Sequence, residues 1–208
     1  MSKFIFVVGA IAAGKTTFME KKLYNGNHHQ CNFFDHDQAK LMIHLYAPDK
    51  KEISDLNLGH ALNNAIKDSL ENDKDFMMQI HFTNEQLSQI NAYFHQYKNR
   101  FNFAAHFIAV NDLKILRDRA NKRELLGGHS SQGKSIEKSF RQSFKNFITY
   151  LPNFKKATIW DNSKEFGFTA MQEQFIFEEG NLIYKNPEIT DYSQKLLEEI
   201  LSLQSKSF

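Results

Sequence analysis

Eight consecutive residues, Gly9-Ala10-Ile11-Ala12-Ala13-Gly14-Lys15-Thr16, match Gly-x-x-x-x-Gly-Lys-(Ser/Thr) at every fixed position. That is the pattern of a loop that wraps phosphate. Each fixed position has a chemical task. The glycines let backbone N–H groups turn inward around phosphate oxygens, the lysine ammonium reaches the β and γ oxygens, and the Thr16 hydroxyl ligates Mg2+. A helix starting at the lysine adds the positive end of its dipole. Gly9, Ala10, Ile11, Ala12, Ala13, Gly14, Lys15, Thr16 and Thr17 are therefore expected to bind the polyphosphate of ATP or GTP, with Mg2+ arriving with the nucleotide and Thr16 as its protein ligand.

Moving a phosphoryl group onto an alcohol needs more: a carboxylate to take the alcohol's proton, and cations for the charge on the transferred group. Asp35 and Asp37 follow a short apolar run, Cys31 to Phe34. If that strand neighbours the first, either carboxylate stands beside the phosphate loop, where open α/β sheets place ligands. Asp37 is the favoured base; the alternative is that an Asp in such a turn is only a helix cap. Arg117, Arg119 and Arg123 precede Gly127-Gly128-His129, an arrangement suited to a lid that closes on phosphate. Arg119 and Arg123 are four apart and share a helix face, whereas Arg117 points elsewhere. The alternative is a solvated cationic face.

Hydrophobic patterning supplies the elements that would hold these groups. Phe4 to Val8 is a continuous apolar run, as expected of a central strand covered on both faces. The pattern predicts helices over 14–24, 38–46, 55–71, 83–99, 112–126, 135–151 and 191–203, separated by strands over 31–34, 76–81, 103–110 and 157–160. Two short apolar runs, 175–177 and 182–184, predict a small carboxyl-terminal hairpin. Strands alternating with helices mean an α/β fold: a three-layer sandwich with a mostly parallel central sheet of about five strands and helices on both faces. At 208 residues the chain is read as a single domain, 1–208.

Composition removes several functions. A net charge of +2 is too small to make nucleic acid or an anionic membrane the default partner. Apart from the amino-terminal run, which leads straight into the phosphate loop, no apolar stretch approaches the length of a membrane span. The single cysteine, Cys31, excludes an internal disulfide framework, fits a reducing cytoplasmic location, and reads as a buried apolar side chain rather than a reactive thiol. No convincing metal-ligand spacing occurs among the nine histidines, and a nucleophile elbow for a Ser/His/Asp hydrolase is missing.

Taken in order, the phosphate loop ending Gly14-Lys15-Thr16-Thr17, the acidic turn at Asp35 and Asp37, Arg119 and Arg123 before Gly127-Gly128-His129, a helix through Phe140 and Ser143, and Asp161-Asn162-Ser163 after a strand resemble the zeta-toxin-like kinases. The resemblance covers about Lys3 to Tyr184. It implies a P-loop kinase fold and ATP- or GTP-dependent phosphorylation of a hydroxyl on a small molecule, UDP-N-acetylglucosamine or a related sugar nucleotide, with an antitoxin protein as a possible partner. By position, Asp37 resembles the family's general base, Lys15 and Thr16 its phosphate and Mg2+ groups, and Arg119 its γ-phosphate arginine, with Arg123 as a second cation. Asp35, Gln79, His81, Thr83 and His129 fall on the acceptor side.

One departure stands out: short members carry Glu-Thr-Thr where this chain has Gln79-Ile80-His81. An amide keeps an acceptor oxygen, removes a charge and adds donors. Two other functions remain beside transfer to a small molecule. One is a nucleotide-gated interaction module without transfer chemistry, and the other is a kinase acting on a different nucleotide or on nucleic acid.

Overall fold

The computed structural model describes residues 1–24, 31–35, 39, 51–127, 133–164 and 171–205. Asp37, His129 and the helix predicted over 38–46 lie outside the described residues, Ala39 apart. Seven strands among the described residues form one sheet in the order β2-β3-β1-β4-β5-β6-β7. These are β1 (Lys3–Val8), β2 (Cys31–Phe34), β3 (Asp75–Ile80), β4 (Asn102–Ala109), β5 (Lys156–Asp161), β6 (Gln172–Glu178) and β7 (Asn181–Lys185). The first five are mutually parallel, and β5–β6 and β6–β7 are antiparallel.

Two expectations are corrected. The sheet has seven strands rather than about five, because the carboxyl-terminal hairpin does not stand apart: β6 pairs along β5, with Phe175 opposite Ile159 and Phe177 opposite Ala157. The short apolar runs of the sequence are only parts of longer strands: Phe175 and Phe177 of β6 are buried, whereas Leu182 to Tyr184 of β7 are exposed. Nor does β2 adjoin β1, since β3 lies between them. Asp35 nevertheless remains beside the phosphate loop, because Gln79, near the end of β3, spans the intervening position.

β1 is covered on both faces, as its unbroken apolar run requires. Alternate side chains enter opposite cores, which is the two-residue period of a strand: Phe4, Phe6 and Val8 belong to one cluster, Ile5 and Val7 to the other. The helices are α1 (Lys15–Tyr24), α2 (Lys51–Glu71), α3 (Leu87–Tyr97), α4 (Leu113–Leu125), α5 (Gly133–Tyr150) and α6 (Asp191–Gln204). Phe18 of α1 and Leu116 of α4 fill the second cluster, while Ile66 of α2, Ile90 of α3 and Ile200 of α6 fill the first. Helix α5 serves both, with Ile136 near its start in the second cluster and Phe147 near its end in the first.

Cys31 begins β2. Burial, followed by the nearby Asp75 carboxylate, pushes its thiol up to about 11. Since the thiolate is the reactive form, the raised value keeps it scarce at neutral pH. Iodoacetamide at pH 7.5 is therefore expected to leave native Cys31 unlabelled over a time that fully labels the denatured chain, as read by intact mass. Equal labelling of both would contradict this.

Candidate nucleotide and phosphoryl-transfer site

The phosphate loop runs from the carboxyl end of β1 into α1, between β3 and β4. Gly9 has a φ of 152°, and a Cβ there would lie 2.7 Å from the Ile108 carbonyl oxygen of β4, so the first glycine is required by close backbone approach. Further on, Ala12 (φ 64°) and Gly14 (φ 99°) both adopt positive φ while Ala13 between them does not. Alternating hands turn successive N–H groups to one side, the geometry of an anion-binding nest. A second side chain at Gly14 has no room either, because its Cβ would fall 2.6 Å from the Asn162 side-chain nitrogen.

Lys15 is 5% exposed. Its ammonium donates to the carbonyls of Gly9 at 2.9 Å and Ala10 at 2.8 Å, and lies 2.9 Å from His81 Nδ1. An ammonium has only protons to offer, so in this contact Nδ1 accepts and the ring proton sits on Nε2. His81 thus bears on the lysine of the nucleotide loop.

On the adjoining side, the Thr16 hydroxyl lies 3.2 Å from Gln79 Oε1 and 3.4 Å from Asp35 Oδ2, and Gln79 Nε2 donates to Asp35 Oδ1 at 2.7 Å. Asp35 is only 7% exposed. A glutamate in place of Gln79 would set two carboxylates against each other; the amide donates instead. Thr16 has one proton for two acceptors, and once it is donated its lone pairs are free to face a cation. The three oxygen-bearing side chains suit a hard ion such as Mg2+. Among the described residues no group of three or more His, Cys, Asp or Glu could hold a metal by itself.

Arg119 approaches the loop from the β5 side. Its Nη2 donates to the carbonyls of Asn162 at 2.8 Å and Lys164 at 2.9 Å, and Nη1 is buried without a hydrogen-bond partner among the described residues. Burial pulls the guanidinium's pKa down; arginine nonetheless stays charged. The expected γ-phosphate arginine is therefore docked on the loop that follows β5. Arg123 is partly buried on the same helix. Arg117 instead pairs with Glu137 of α5 at 3.3 Å on the exposed side, in keeping with its different face.

Thr83 precedes a short 3₁₀ turn, Asn84–Gln86, whose Gln86 Oε1 accepts from the amides of His81 and Thr83 at 3.2 and 3.3 Å. Two contributors escaped the sequence reading of the site. Asn162, at the exit of β5, donates from Nδ2 to the Ala13 carbonyl at 2.8 Å, and Ser139 of α5 accepts from the Ile11 amide at 3.0 Å. The Asp-Asn-Ser string after β5 was a visible signal for the first. Nothing marked Ser139, an ordinary serine in a helix. The β5 exit is itself tied to α6: Thr190 Oγ1 donates to Asp161 Oδ2 at 2.7 Å, and the Tyr192 hydroxyl donates to the Val110 carbonyl at 3.1 Å.

With this arrangement in hand, the likeness to solved structures is informative. A chain from the PezAT chromosomal toxin–antitoxin system of Streptococcus pneumoniae superposes with a TM-score of 0.57 and 13% identity, covering 99% of this chain and 85% of that one. A chain from the AvrRxo1-ORF1:-ORF2 structure with ATP gives 0.56 and 14%, covering 96% and 63%. The protein has a P-loop kinase-like fold. A chain of the Pnkp1/Rnl/Hen1 RNA repair complex gives a TM-score of 0.57 and 19% identity over 68% of this chain and 43% of its own length, so the present chain spans less than half of that one. No family model matches the sequence, and no curated protein matches it. Among the described residues, no helix is long and apolar enough to cross a membrane.

Proposed function

We propose that the chain is a zeta-toxin-like kinase that transfers the γ-phosphoryl group of ATP or GTP to a hydroxyl of a small molecule, UDP-N-acetylglucosamine or a related sugar nucleotide. The observation that carries this reading is the pairing of a wound phosphate loop around Lys15 with the Thr16, Asp35 and Gln79 cluster at the ends of β2 and β3. One half suits a polyphosphate, the other the cation that travels with it. Mg2+, held by Thr16 with Asp35 behind it, would neutralise charge on the β and γ oxygens.

Asp37 takes the proton from the acceptor hydroxyl, the acceptor oxygen bonds to the γ phosphorus, and the bond from phosphorus to the β–γ bridging oxygen breaks to release the nucleoside diphosphate. Arg119 and Arg123 supply the cations on the lid side. Gln79 puts a neutral amide beside Asp35 where the resembling kinases have a carboxylate, which removes one negative charge from the site and favours a hydroxyl compound recognised without that charge. The fold likeness to a toxin–antitoxin chain supports an antitoxin-type protein partner.

Incubation with Mg-ATP and, separately, UDP-N-acetylglucosamine, a bacterial metabolite extract, and RNA bearing a 5′-hydroxyl should yield a mass gain of one phosphoryl group in one of the first two. A gain on the RNA alone would replace the small-molecule acceptor with a nucleic acid, the reading for which the RNA-repair likeness gives some support. Nucleotide binding with no gain in any arm would leave an interaction module.

A further inference from the structure

Helix α5 carries a polar stripe that neither the phosphate loop nor the acidic turn accounts for. Ser139, Gln142, Ser143 and Asn146 are spaced at i, i+3, i+4 and i+7, and so share one face. Each is spent on a loop of the site. Ser139 Oγ accepts from the Ile11 amide at 3.0 Å and donates to the Ile136 carbonyl of its own helix at 2.9 Å. Ser143 Oγ donates to the His81 carbonyl. Gln142 Oε1 accepts from the Asn84 amide at 3.0 Å, and Asn146 Nδ2 donates to the Phe82 carbonyl at 2.7 Å and to Asn84 Oδ1 at 2.9 Å.

Both serines are 1% exposed, so these bonds are not traded cheaply with water: a buried amide or carbonyl left without its partner carries the full desolvation penalty. The loops they hold also have unusual backbone. Ala12 has a φ of 64° beside Ile11, and Phe82 has a φ of 56° between His81 and Thr83, conformations in which an L side chain persists only where surrounding contacts enforce it. Two strained loops from different strands are thus stapled to a single rigid helix, one helical turn apart.

We propose that Ser139 and Ser143 are positioning residues: through them α5 fixes the nucleotide loop at Ile11 and the β3 exit loop at His81 to Asn84 in one frame, so that ordering the first by nucleotide orders the second. The inference rests on the nucleotide-binding reading above. It goes beyond it in assigning this helix the task of joining the two halves of the site.

The amides of Ile11 and Asn84 report each half directly, because each donates to this helix. Hydrogen exchange resolved by amide NMR would be measured on the full chain with and without Mg-ATP, alongside calorimetric titration of Mg-ATP. Alanine is a better helix former than serine, so Ser139→Ala and Ser143→Ala do not threaten the helix itself, and thermal melts check the fold.

In the unaltered chain, Mg-ATP is expected to slow exchange at both amides. Ser139→Ala should weaken Mg-ATP about tenfold, the order expected when a buried N–H loses its acceptor. Ser143→Ala should cut the Mg-ATP response at Asn84 severalfold, Gln142 and Asn146 still holding that loop, while Ile11 responds in full, a separation that a loss of overall stability would not produce. The proposal is overturned if Ser143→Ala retains the full Asn84 response, or if Ser139→Ala binds Mg-ATP as the unaltered chain does. Absence of any Mg-ATP response at Ile11 in the unaltered chain, with no calorimetric binding, would remove the nucleotide reading and this coupling with it.

Discussion

Replacing Lys15 by methionine is expected to weaken Mg-ATP binding by about a hundredfold or more, the loss anticipated when charge-assisted hydrogen bonds to phosphate are removed. Methionine approximates the apolar stem of the side chain, with a sulfur in place of one methylene, and removes the ammonium. The fold should survive the change. Ala10 O also accepts from the Ala13 amide at 3.2 Å, and Gly9 O lies 3.2 Å from His81 Nδ1, so His81, relieved of the ammonium, can switch tautomer and donate to the Gly9 carbonyl in its place. Calorimetric titration of Mg-ATP, paired with a thermal melt, separates lost binding from lost structure. Affinity retained within a few-fold would mean that the loop around Lys15 does not hold a polyphosphate.

The second large effect falls on Asp37. Asp35 has its carboxylate turned to Gln79 and Thr16, which on the proposed reading puts it on the cation side of the site and leaves the proton-accepting task to another acid. If Asp37 is the general base, Asp37→Asn should lower the transfer rate by about two to four orders of magnitude while nucleotide affinity stays within about twofold, since a base acts on the transition state rather than on ground-state binding. Asp35→Asn should behave differently, with most of its loss appearing as weakened Mg2+ dependence of nucleotide binding. Unchanged turnover in Asp37→Asn would transfer the role of base elsewhere.

What could be seen in the sequence, and what could not, follows from how locally each feature is encoded. The β1, phosphate loop and α1 unit was legible because its glycines, lysine and threonine are contiguous and its strand is unbroken apolar chain. The parallel strands β1 to β5 were legible for the same reason. Strand order was not, since a run such as Cys31 to Phe34 carries no mark of which neighbour it will pair with, and β3 came to lie between β2 and β1.

The site shows the same division. Lys15 and Thr16 stand out from their spacing alone, whereas the left-handed turn at Ala12 is hidden, because alanine does not advertise positive φ as glycine does. Gln79 was noticed as a departure, but its bond to Asp35 depends on two strands meeting. The bond from Ile11 to Ser139 joins residues 128 positions apart and exists only once α5 is laid across the end of the sheet.

The tether from Thr190 and Tyr192 to the ends of β5 and β4 bears on how the molecule can be cut or extended. Asp161, which Thr190 grips, immediately precedes the Asn162 that leans over Gly14, so the last helix is mechanically connected to the cradle although it is remote in sequence. Trimming that helix, or fusing a bulky reporter close to its start, would be felt at the nucleotide as well as in the core. A shortened version that binds poorly should accordingly be tested for a loosened cradle before its missing residues are credited with touching the ligand.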